Sequence, residues 1–316
     1  MKTTFNSEPE SSSWEKLNTE SKAPKQPTSL KIRCKRSFLY LSFAVLILLS
    51  PCKAAVEEVT LKPVDSLDPI IEELNKADKE TLVIFDVDYV LLVPKDLIAR
   101  PSGRELRRTL FPKIEKEIGK ERLDYLLSIL RSQGGSELVD GRLPELLKNL
   151  QSRPVKVIAL TGQGYGPIGI IKDEGSLRVQ ELKKLNLDFR NAFPSLKSFV
   201  LNIPTPKHQP PLCREGIIFT DHSSKGEALI AFLQKVKWSP KKIIVIDDGS
   251  EHLEHIQEAL KSNHLNGILF LYIDGKLAAE KPDPAIAKTQ FDYLIKNEKW
   301  LNDEQARRLL FKEGSA

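Results

Sequence analysis

The feature that most constrains this chain is a set of short apolar runs that each stop at a polar residue. Leu82-Val83-Ile84-Phe85 stops at Asp86, Val155-Lys156-Val157-Ile158-Ala159-Leu160 at Thr161, and Ile243-Ile244-Val245-Ile246 at Asp247. Runs this short and this rich in Val and Ile are the pattern of strands covered on both faces, as in a parallel sheet. Helix-period segments are predicted between and around them, at about 68–78, 177–185, 224–236 and 252–262 and from Pro282 to the end; further strands are predicted at 216–220 and 268–272. Such alternation indicates α/β architecture with a doubly wound, mostly parallel, Rossmann-like sheet. In sheets of this kind ligands bind beyond the carboxyl ends of the strands, so Asp86, Thr161 and Asp247 should converge.

Residues 103–150 interrupt the alternation. Leu106, Leu110, Ile114 and Ile118 form one helical stripe, and Leu123, Leu126, Leu127 and Leu130 another. The predicted organisation is a core of 55–92 and 151–316, with a helical cap insertion at 93–150. A second long connection, 163–215, has Gly-rich and Pro-rich parts.

Charge is informative only by position. The chain carries 48 Lys+Arg and 43 Asp+Glu, a net of +5. Residues 1–54 hold nine of the bases and four of the acids, so the remainder is balanced. The basic excess therefore does not point to nucleic acid, and no basic and aromatic patch survives outside the leader. Residues 1–30 are Ser/Thr/Glu/Pro/Lys-rich and read as disordered. Then a basic cluster, Lys31 to Arg36, precedes an apolar run from Phe38 to Ser50, with small residues at Cys52 and Ala54. Thirteen residues make roughly 20 Å of helix, short of a ~30 Å bilayer core. The expectation is a cleaved signal and an exported protein, periplasmic or secreted. The alternative is a membrane tether through residues 38–50. Lipid attachment at Cys52 fits less well, because Pro51 stands where a small residue belongs. After cleavage Cys213 alone remains, read as a small residue in a loop.

Taken singly, the polar motifs are weak. Asp86-Val87-Asp88 is a carboxylate pair that could equally be a solvated turn. Thr161 and Gly162 are ordinary turn formers. Lys225 opens a helix with a Ser224/Glu227 capping box, where a cation is mildly unfavourable unless it faces an anion. Asp247-Asp248-Gly249 after a strand either binds a cation or caps a helix. Arg100, Arg104, Arg107, Arg108 and Arg131 are candidates for an anionic substrate or, more simply, helix-face charges. His222, His252 and His255 read as surface or cap residues, since no zinc set is evident.

Their conjunction in this order resembles the haloacid dehalogenase-like (HAD-like) superfamily of phosphohydrolases. Phe85-Asp86-Val87-Asp88-Tyr89-Val90 looks like its first motif, Leu160-Thr161-Gly162 its second, Lys225 its third and Ile246-Asp247-Asp248 its fourth. The resemblance spans about residues 80–275. Gln290 to Leu294 with Trp300 to Asp303 is similar to an exported bacterial branch of unassigned function. The resemblance implies a helical cap between the first two motifs, and Asp88 implies phosphoryl transfer rather than dehalogenation. Val90 replaces the usual Thr, and Glu251 could serve as the further acid of the fourth motif.

The chemistry follows from the residue types. A phosphoester dianion repels a carboxylate nucleophile unless a divalent cation neutralises both. Asp86 is the expected nucleophile and Asp88 the acid that protonates the leaving alkoxide, then activates water. Mg²⁺ is expected on Asp86, Asp88 (through its backbone carbonyl), Asp247 and Asp248. Thr161, Gly162 and Lys225 are expected to bind the phosphoryl group of a phosphorylated small molecule. The expected function is a Mg²⁺-dependent phosphatase working through an aspartyl-phosphate. The alternatives are a non-catalytic binding protein on the same scaffold and a phosphotransferase.

Overall fold

The computed structural model describes residues 58–205 and 209–313. The 1–54 leader, with its predicted export segment and the 38–50 tether, lies outside them. Among the described residues, no helix is long and apolar enough to cross a membrane.

The chain enters along β1 (Val59–Val64), passes α1 (Asp68–Leu74) and reaches β2 (Thr81–Phe85). β3 (Leu92–Pro94) follows, then α2 (Arg104–Ile118), α3 (Lys120–Gln133) and β4 (Ser136–Leu138), which pairs antiparallel with β3. α4 (Leu143–Ser152) leads to β5 (Lys156–Thr161) and α5 (Glu174–Lys184). Three short strands, β6 (Ser198–Val200), β7 (Leu212–Arg214) and β8 (Ile217–Phe219), precede α6 (Lys225–Val236). Then come β9 (Lys242–Asp247), α7 (Ser250–Ser262) and β10 (Gly267–Tyr272). The chain closes with α8 (Gly275–Ala279), α9 (Pro284–Asn297) and α10 (Asp303–Glu313).

The main sheet has eight strands in the order β1-β10-β9-β2-β5-β8-β7-β6. The first six are parallel, while β7 and β6 run as an antiparallel edge. The fold is thus α/β with a mostly parallel, doubly wound sheet. From β2 the chain moves outward through β5 and β8, then returns to the other side of β2 to lay down β9 and β10. The order therefore reverses between β2 and β9, where open sheets of this kind leave a crevice at their carboxyl ends.

Alternation along each strand divides the core. Val83 and Phe85 of β2, Val157 of β5 and Ile244 and Ile246 of β9 face α1, α4 and α5. Leu82, Ile84, Ile158, Ile243 and Val245 face α6 and α7 on the other side. Both faces being covered is why these strands read as unbroken apolar runs. Each Leu or Ile buried there contributes about 1.5–3 kcal/mol. Cys213, read from sequence as a loop residue, lies in β7 against the second layer, and burial pushes its thiol up to about 12.

The predicted 93–150 insertion divides differently. Its last helix, α4, packs Leu143, Leu146, Leu147 and Leu150 on the sheet and so belongs to the core. Conversely α9, expected within the core segment, joins the inserted helices. Ile114, Leu123, Leu126 and Ile129 of α2 and α3 bury against Ala287, Phe291 and Leu294 of α9 and against Trp300. Phe291 stands edge-on to Phe111 at 5.3 Å and to Trp300 at 5.5 Å. A polar knot locks this module: buried Asp96 accepts from Trp300 Nε1 at 2.7 Å and from the Asp303 amide at 2.9 Å, and Asp303 accepts from the Leu97 amide at 3.0 Å. Trp300→Phe, which keeps an aromatic ring of smaller size but removes the N–H, should cost about 1–3 kcal/mol in urea unfolding. Trp300→Ala, which also opens a cavity, should cost about 3–5 kcal/mol. A Trp300→Phe variant as stable as the wild type would show that the hydrogen bond to Asp96 does not matter.

Candidate active site

Strand register sets the first geometry. Phe85 is paired with Ile246 and the Asp86 amide donates to the Ile246 carbonyl at 2.8 Å, so Asp86 and Asp247 emerge side by side. Both are buried, at 4% and 1% exposure. Lys225, at the start of α6, is 1% exposed and spans them, with Nζ 2.7 Å from Asp247 Oδ2 and 3.0 Å from Asp86 Oδ1. The lysine is thus no solvent-facing helix residue.

The electrostatics of the three are unequal. Burial, reinforced by the neighbouring Asp247 charge, holds the Asp86 carboxyl well above the usual range. Burial opposes ionisation of Asp247 too, but Lys225, His252 and the Gly249 amide outweigh it and hold that carboxyl low. Burial likewise opposes the Lys225 charge, and the two carboxylates overcome it. Asp248 faces the adjoining cavity, where burial and then Asp247 push its carboxyl up to about 6.

Asp88 points elsewhere. Its carboxylate accepts from Arg178 Nη2 at 2.6 Å, and its other oxygen lies 3.5 Å from the Thr161 hydroxyl. Thr161 is buried at the end of β5 and accepts from the Gln163 amide at 3.1 Å. A cavity of about 710 Å³ opens over these groups, and Asp86, Asp88, Thr161, Gly162 and Asp248 all line it. Lys225 lies beneath, holding the carboxylates from below.

Two carboxylates facing one lysine leave a negative excess when both are ionised, in a place almost without solvent. Asp86, Asp247 and His252 each bring a donor atom within 4.8 Å of the others. Hard oxygen donors with uncompensated charge fit a divalent cation.

Sequence reasoning missed two participants. Arg178, on α5, is buried and reaches Asp88 from 90 positions away in the chain, a distance no local motif spans. It also donates to Gln163 at 2.6 Å and pairs with Glu181, which Arg131 grips at 2.7 and 2.9 Å. His252, read as a surface residue, keeps 43% of its side chain exposed and also lines the cavity, with Nδ1 3.2 Å from Asp247 Oδ1. Its place five residues after Asp247 was the available signal. Of the arginines weighed from sequence, Arg104 and Arg131 line the cavity. Arg100 is buried against Glu137 and Glu280, Arg107 ties down the Ile98 and Arg100 carbonyls, and Arg108 sits on the surface near Glu105.

Residues 63–307 match a family described as a protein of unknown function, DUF2608. An uncharacterised protein of Rickettsia bellii is 24% identical over 239 residues, covering 73% of this chain and 81% of its own length. Another, from Rickettsia prowazekii, is 23% identical over 252 residues, covering 79% and 91%. No solved structure matches.

Lys225→Met should lower stability by about 3–5 kcal/mol in urea unfolding of the metal-free protein, because it leaves two buried carboxylates unanswered. Adding Asp86→Asn should recover part of that loss; a double variant no better than the single would overturn the ion-pair account. The pH response has a defined sign. A carboxyl raised by folding binds its proton more tightly in the native state, so stability falls as pH rises through the interval between the unfolded and folded values. For Asp248 that interval runs from 3.8 to about 6, worth at most about 3 kcal/mol. In the metal-free protein Asp248→Asn should flatten this decline in a pH series of unfolding curves.

Proposed function

The chain belongs to the DUF2608 family, and from its own site we propose that it is an exported, Mg²⁺-dependent phosphatase of the HAD-like class. The observation that carries the proposal is the pair of buried carboxylates, Asp86 and Asp247, bridged by Lys225 at the point where the strand order reverses. A buried acidic pair tied to one lysine, with Asp86 and the adjoining Asp248 lining a cavity, suits a ligand bringing both a cation and an anion.

Asp86 is the nucleophile: its oxygen attacks phosphorus, the ester oxygen leaves, and an aspartyl-phosphate forms. Asp88 gives the leaving alkoxide its proton and then takes one from the water that attacks the acyl phosphate, which restores Asp86 and releases phosphate. Thr161 Oγ1 and the Gly162 amide receive phosphoryl oxygens, and Lys225 holds Asp86 in place and balances charge. Arg178 sets the direction of the Asp88 carboxylate. Asp86, the Asp88 backbone carbonyl, Asp247 and Asp248 would hold the Mg²⁺, which supplies charge neutralisation between carboxylate and phosphoester. Arg104 and Arg131, on the inserted helices, line the same cavity and supply positive charge for an anionic substrate. Export is supported by the basic cluster and apolar run of residues 31–50.

A panel of phosphate monoesters should be hydrolysed with a divalent cation such as Mg²⁺ present and not after chelation. Asp86→Asn should abolish turnover, and Asp88→Asn should lower it by roughly 10²–10⁴-fold. Full activity in Asp86→Asn would remove it as nucleophile. No hydrolysis of any ester by the wild type would overturn the phosphatase reading.

A further inference from the structure

We infer that His252 supplies a nitrogen donor to the cation site, so that the site takes a first-row transition ion such as Mn²⁺ in preference to Mg²⁺. This rests on the phosphatase reading of the same cavity and specifies the ion it would use. β9 ends at Asp247 and α7 begins at Ser250, which puts His252 in the first turn of α7, above the strand end. Its Nδ1 stands 3.2 Å from Asp247 Oδ1. Adjacent ligands of an octahedral ion with ~2.1 Å bonds stand ~3 Å apart, so the pair has the spacing of two neighbouring donors. Asp86 contributes the third donor of the cluster.

The backbone is shaped for the ring. A Cβ at position 249 would come 2.7 Å from His252 Nδ1 and 3.2 Å from Asp247 Oδ1. Glycine there lets imidazole and carboxylate meet. On the far side, a Cβ at position 162 would reach 3.9 Å from His252 Cε1, so the ring spans the mouth between the strand ends that carry Asp247 and Thr161. His222 and His255 line the cavity but do not enter the donor cluster.

Charge and donor type then decide the ion. Arg178 answers Asp88, while among the described residues one lysine, Lys225, is shared between Asp86 and Asp247, and Asp248 lies beside them. The excess is negative and calls for a dication. An all-oxygen set suits Mg²⁺, whereas a mixed imidazole and carboxylate set shifts preference toward transition ions.

The test is Mn²⁺ binding to the full chain, read by pulsed electron paramagnetic resonance, with Mg²⁺ competition to obtain the preference. The expected result is a ¹⁴N coupling in the wild type, retained in His255→Gln and absent in His252→Gln. The Mn²⁺-over-Mg²⁺ preference should fall at least about tenfold in His252→Gln, the scale on which ligand-sphere changes act. Mn²⁺ bound without nitrogen coupling, or coupling that survives in His252→Gln, would overturn the inference while leaving the phosphatase reading intact. Failure of both ions to bind would overturn both.

Discussion

Everything at the carboxyl edge of the sheet depends on two carboxylates being kept within reach of one lysine, out of water. Isolated, either buried charge would carry a desolvation cost of several kcal/mol. The fold meets this by placing Asp86 and Asp247 on hydrogen-bonded neighbouring strands and by seating Lys225 at a helix start directly against them. The lysine is placed by packing: Ala228, Leu229, Phe232 and Leu233 of the same helix are buried in the second core layer. A change in that layer would therefore be felt as an electrostatic change at the site.

A second network extends from the site to the inserted helices. Asp88 meets Arg178, Arg178 meets Glu181, and Glu181 receives the two-pronged grip of Arg131 on α3. Gln163, next to the Gly162 amide, accepts from Arg178 and donates to Glu174 at 2.5 Å. The proposed acid and the wall of the cavity are in this way part of one hydrogen-bonded structure. Such partly buried charged networks fix geometry more reliably than they add stability.

Much of this was legible in the chain because the relevant signals are local. The strand runs ending at Asp86, Thr161 and Asp247 are visible as apolar stretches, and their convergence follows from the rule for parallel sheets. β1 carries no run of apolar residues, since Thr60 and Lys62 interrupt it and Pro63 within it argues against a strand. β3, β4, β6 and β7 have three residues each, too few for a period to register. Lys225 could be placed at a helix start but not known to be buried, since that depends on how α6 lies against the sheet. His252 depends on the phase between a strand end and the helix after it, and Arg178 on a contact between distant segments. The partners of the inserted helices were hidden for a related reason: leucine stripes show that a helix has a buried face, not which partner covers it.

The sharing of α9 between the two ends of the chain has a consequence for the order in which the molecule is built. α2 and α3 are synthesised early, yet the side chains that close their core, Ala287, Phe291, Leu294 and Trp300, come from the last tenth of the sequence. Until those residues leave the ribosome, the inserted helices expose an apolar face with no cover, whereas the central strands already have partners. The wall of the cavity is therefore completed only after α9 has been made, long after α2 and α3 themselves.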